Sequence, residues 1–167
     1  MKTIEKIAHW FRVVGISLAS FAIAAMVLMI VVDVTMRNVF KIPIQGTYEI
    51  VQYFLMPLAI FPTLAFAYQS GVLPRLSELV EKLPKRFQQI NRIIIYVIEL
   101  VVFLFLTYYS ILFALSGIQD QMAIPVAGNL LPVYPLYIIV PISFAAVVVE
   151  ILLSIYRTYF KKAREVA

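Results

Sequence analysis

Four long apolar runs, at residues 13–32, 50–68, 93–115 and 133–156, constrain this chain more than anything else in it. Each reaches or approaches the roughly 20 residues a helix needs to cross a hydrocarbon core about 30 Å thick. The cations then orient the runs. Of the 14 Lys and Arg, all but Arg37 and Lys41 lie in the N-terminal tail, the second loop or the C-terminal tail, and the third loop has none. Short loops rich in Lys and Arg stay cytoplasmic. The expected fold is therefore an all-α integral membrane protein, one domain over residues 1–167, with four transmembrane helices and both termini inside.

Composition agrees with that reading. At 63% hydrophobic residues and a mean hydropathy of +0.94, the chain has more apolar surface than a water-soluble domain of 19.0 kDa could hide. The net charge of +5 would suggest nucleic acid in a soluble protein. Here the cations flank the spans, where topology and anionic lipid headgroups explain them, so membrane lipids are expected partners and nucleic acid is not. The absence of Cys excludes disulfides, thiolate metal sites and thiol redox chemistry. A basic tail and Ala22, Ala24 and Ala25 give the first run some likeness to a cleaved signal peptide. It is longer than the usual 7–15-residue apolar region, and its small residues lie mid-run with residues 26–32 still to come, so a retained anchor is expected.

Between the spans, Asp33 and Arg37 stand four apart, and a continuing first helix would stack them as an ion pair at the outer interface. Asn38, Lys41, Pro43 and Gly46 then break the helix. Thr47 is the expected N-cap of the second helix, with Glu49 in its first turn. Asp33, Arg37 and Glu49 read either as three solvated interfacial charges or as a polar knot joining the two helix ends to each other or to a partner. Pro57 and Pro62 predict a kinked second span. In the second loop Leu76, Leu79, Val80, Leu83 and Phe87 recur at helical spacing. That pattern predicts an amphipathic interfacial helix over about residues 74–87, between helices 2 and 3, offering Arg75, Lys82, Lys85 and Arg86 to lipid headgroups. Pro84 should separate it from the third span. The third loop, residues 116–132, is too apolar to wave freely and should fold back onto the bilayer or a partner.

Two carboxylates fall inside spans. Glu99 lies seven residues beyond Arg92 and Glu150 seven before Arg157, so each sits about 10 Å inside the cytoplasmic boundary. An intramembrane carboxylate costs about 2.5–3.5 kcal/mol on insertion scales and needs a partner or a polar path. A cation relay, contacts with cations of a partner subunit, and snorkelling toward headgroups on the same face as the neighbouring Arg all satisfy that requirement. Catalytic constellations are missing: His9 is the sole His, and no phosphate-cradling glycine motif occurs. Neither an enzyme, nor a cofactor, nor a metal site is expected.

The order of these features carries a family resemblance. Arg37-Asn38-Val39-Phe40 follows span one, Thr47-Tyr48-Glu49 enters span two, and Leu131-Pro132-Val133-Tyr134 with Val140-Pro141-Ile142-Ser143-Phe144 enters span four. Over about its whole length the chain resembles the small membrane subunit of tripartite ATP-independent periplasmic (TRAP) transporters. It departs from that pattern in lacking a Trp near the second-span entry and in having Pro74-Arg75 and Ser77-Glu78 where many relatives have a His and an Asp. The resemblance implies a scaffold in a bacterial cytoplasmic membrane, bracing a large multi-span subunit that holds the substrate and sodium sites. It also implies a periplasmic substrate-binding protein that delivers an organic acid. Asp33, Arg37, Glu49, Glu99 and Glu150 are then the candidate partner contacts. The alternative is a self-sufficient small ion-coupled transporter or exchanger using Glu99 and Glu150.

Overall fold

A computed structural model describes residues 2–70 and 84–157 of the protein. Among the described residues, four helices are long and apolar enough to cross a membrane. These are α1 (Lys2–Val39), α2 (Thr47–Ser70), α3 (Lys85–Gln119) and α4 (Tyr134–Tyr156). The 38 residues of α1 reach about 57 Å at 1.5 Å per residue, well beyond the hydrocarbon thickness. Asp33 and Arg37 thus remain helical past the apolar run, as their spacing predicted.

The bundle is built around α4, which packs on α3 along its length and also touches α2 and α1. Ala65, Tyr68, Val147 and Ile151 form the buried centre, flanked by Tyr96, Leu100 and Phe103 of α3. Phe144 of α4 meets Phe61 of α2 edge-on at 5.9 Å and Phe103 of α3 at 6.2 Å, so one ring joins three helices. With lipid tails as apolar as leucine, such contacts depend on packing rather than on expelling water.

The prolines of α2 act locally. A proline has no N–H, and its ring crowds the carbonyl four residues earlier. Ahead of Pro57 the backbone widens into a π-helical turn, Val51–Leu55, and around Pro62 it tightens into a 3-10 turn, Phe61–Thr63. The Thr63 hydroxyl donates to the Ile60 carbonyl at 2.8 Å, within the disturbed turn. Here α1 packs against α2. A Cβ on Gly15 would stand 2.2 Å from the Pro62 carbonyl oxygen, so only glycine permits the approach.

The third loop does fold back, but onto the chain itself. β1 (Ala123–Val126) and β2 (Asn129–Pro132) form an antiparallel hairpin that sequence patterning did not reveal, a small addition to an otherwise helical fold. Ala127 and Gly128, at φ 50° and 84°, make its two-residue turn, and positive φ at both positions suits the twist of the flanking strands. Val126 is buried against Gly46 in the α1–α2 loop, where a Cβ would meet Val126 Cγ1 at 2.6 Å.

Two expectations change. Thr47 is not the N-cap of α2: Gly46 takes that position at φ +89°, and the Thr47 hydroxyl donates instead to the Ile44 carbonyl at 3.1 Å. The left-handed conformation the turn demands there suits a residue without Cβ. The interfacial helix expected over residues 74–87 cannot run past Pro84, because Lys85, Arg86 and Phe87 already belong to α3. Proline fixes φ and needs no N–H partner, which suits it to the entry of α3. The rest of that segment, with Arg75 and Lys82, lies outside the described residues.

Candidate functional site

The charged residues gather at two levels of the bundle. At one, Arg12 of α1 lies with Nε 3.5 Å from Oε1 of Glu150 on α4, and only 7% and 2% of the two residues are exposed. Arg12 Nε also donates to the Ala8 carbonyl at 3.2 Å, which holds the guanidinium against its own helix. Two turns nearer the helix ends, Glu5 of α1 stands 3.5 Å from Arg157, the residue that caps α4, both partly exposed. Each helix carries Glu and then Arg seven residues later, and because the two helices run antiparallel each Glu meets the other helix's Arg. Reciprocal pairs two turns apart set both the orientation and the register of α1 on α4.

This revises the sequence reading of the intramembrane charges. Arg12 is part of the continuous helix α1 and is buried in the bundle. Arg157 pairs with Glu5, and Glu150 faces Arg12. Arg12, Glu5 and Tyr68 were missed as site residues. The repeated Glu-to-Arg spacing of seven was the available signal for the first two, although spacing alone does not say which helices meet.

Glu99 on α3 is held differently. Its Oε2 accepts a hydrogen bond of 2.5 Å from the hydroxyl of Tyr68 on α2, whose ring is 2% exposed in the core. Glu99 itself is half-buried. The two carboxylates therefore do not share a partner: Glu150 faces Arg12 and Glu99 faces Tyr68. An apolar groove of about 370 Å³ lies beside the Arg12–Glu150 pair, walled by Ala8, Phe11, Ala146 and Val149 over Ala65.

At the other level Asp33 is 6% exposed, with both oxygens engaged. Oδ1 accepts the Ile44 N–H at 2.8 Å and Oδ2 accepts from Arg37 Nη2 at 3.0 Å. Asp33 thereby ties the end of α1 to the loop that leads into α2, while Arg37 extends into solvent. Glu49 lines the same cleft of about 400 Å³, with Tyr48 and Thr47, but makes no ion pair with Arg37. The polar knot thus includes Asp33 and Arg37 and leaves Glu49 at its rim. Among the described residues no group of three His, Asp or Glu side chains could hold a metal ion. Lys85 and Arg86 begin α3.

The sequence matches the family described as tripartite ATP-independent periplasmic transporters, DctQ component, over residues 26–161. No curated protein matches the chain.

Proposed function

This chain belongs to the DctQ component family, the small membrane component of TRAP transporters, and we propose that within such a transporter it is a non-transporting scaffold. Its family is a transporter component and not an enzyme, and its four apolar helices make it a multi-pass membrane protein. In this reading it sits in a bacterial cytoplasmic membrane with both termini inside. There it braces a large multi-span subunit during sodium-coupled uptake of an organic acid delivered by a periplasmic binding protein.

The observation that carries the reading is the disposition of charge. An organic anion needs converging cations, and a cation relay needs carboxylates free to bind and release. Arg12 is paired with Glu150 inside the bundle. The outer cleft sets two carboxylates, Asp33 and Glu49, against the single guanidinium of Arg37, and the inner groove is apolar. These arrangements suit a body that keeps its shape. They give no support to Glu99 and Glu150 as a shared relay.

The test is co-purification followed by reconstitution. The chain should elute from mild detergent with a co-expressed large membrane subunit. In proteoliposomes it should move no organic acid alone, and the full complex with binding protein should. Uptake by the isolated chain would overturn the proposal.

A further inference from the structure

Charge within the spans does not balance on this chain alone. Arg12 and Glu150 answer each other, but Glu99 has no cation among the described residues, and Arg92, two turns earlier on α3, makes no ion pair with it. Tyr68, locked in the core, fixes one oxygen of Glu99. The half-buried carboxylate is left at the edge of the packed face of α3, within reach of something outside the bundle. Lipid tails offer nothing to such a group.

The face beside Glu99 is also uncovered. In an 18-residue apolar stretch of α3 only 6% of the residues are buried, against 28% in α4. Ile95, Ile98, Val102, Phe105, Tyr109 and Leu112 are all exposed, at alternating spacings of three and four. That is the repeat with which two long helices pack at a shallow left-handed crossing. A second seam through Val97, Val101 and Leu104 is just as exposed, so hydrophobicity alone does not choose between them. Glu99 does, because at 100° per residue it flanks Ile95 and Val102 and lies on the opposite side from the second seam.

We propose that the large membrane subunit lays one long transmembrane helix along the Ile95-to-Leu112 seam of α3 and brings a Lys or Arg to Glu99. The proposal rests on the scaffold reading above, and it names the face and the contact.

The chain contains no Cys, so single cysteines report one position each. In membranes holding the co-expressed large subunit, a photoactivatable maleimide on Ile98→Cys, Val102→Cys or Phe105→Cys should cross-link to that subunit. Val97→Cys and Leu104→Cys should do so about fivefold less, as expected for one face of a helix pair. Glu99→Gln keeps an oxygen for the Tyr68 hydroxyl, so the isolated chain should elute and fold as before. The large subunit retained with it should nonetheless drop about tenfold, and Glu99→Lys should retain none. Cross-links confined to Val97 and Leu104, adducts with lipid only, or a Glu99→Gln complex recovered at the wild-type level would overturn the docking face while leaving the scaffold reading intact. Failure of the unmodified chain to co-purify with the large subunit would overturn both.

Discussion

Arg12 faces Glu150 at 3.5 Å between α1 and α4, and the same antiparallel register brings Glu5 to Arg157 two turns away. A buried pair of this kind contributes little net stability relative to apolar side chains of similar size, yet it is costly to break on one side. Its main effect here is to exclude other registers, since sliding α1 by one turn along α4 would leave two buried charges unmatched.

Single and double replacements should therefore differ. Arg12→Met or Glu150→Leu alone strands a buried charge and should lower unfolding stability in detergent by about 3–5 kcal/mol. The double variant Arg12→Met with Glu150→Leu should recover most of that loss. Thermal unfolding followed by helical circular dichroism provides the comparison, and additive losses in the double variant would contradict it.

Gly15 makes a purely steric prediction. A Cβ there would overlap the Pro62 carbonyl at 2.2 Å, and backbone cannot rotate away as a side chain can. Gly15→Ala should destabilise the protein by about 1–3 kcal/mol, and Gly15→Leu by more. Denaturation of the two variants in the same detergent would reveal the order.

Asp33 should control the loop between α1 and α2. Asp33→Ala removes the acceptor of the Ile44 N–H and the partner of Arg37 together, at about 1–3 kcal/mol. Asp33→Asn keeps an oxygen for Ile44 and should lose less. Limited proteolysis within residues 40–46 should speed up in the Ala variant first.

Tyr68→Phe removes a hydrogen bond to a carboxylate without changing the ring in the core. The expected loss is about 1.5–3 kcal/mol, the range for hydrogen bonds to charged groups. Unfolding of Tyr68→Phe beside Glu99→Gln would check it, with the Gln variant affected less because its amide oxygen still accepts.

Most of this architecture was legible because it depends on local properties. Span lengths follow from run lengths, and Asp33 with Arg37 follows from helical periodicity. Pro57 and Pro62 announced irregularity, though not that one would widen the helix and the other tighten it. The hairpin was hidden because its strands are apolar, each carries a proline, and its turn is Ala127-Gly128, without the Asn-Gly or Asp-Gly that marks such turns. The partner of Arg12 was missed for a different reason. Glu150 lies almost the whole chain away from it, and no pattern local to either helix reveals that the two meet. The Tyr68–Glu99 contact was missed on the same grounds.

The account holds that the paired charges of α1 and α4 serve structure and not transport. The most direct measurement is uptake by the reconstituted complex carrying Arg12→Met and Glu150→Leu together. With the pair replaced by apolar side chains that keep the packing, uptake should stay within about twofold of wild type. A complex that assembles normally yet has lost uptake would place those charges in the transport pathway and contradict the account.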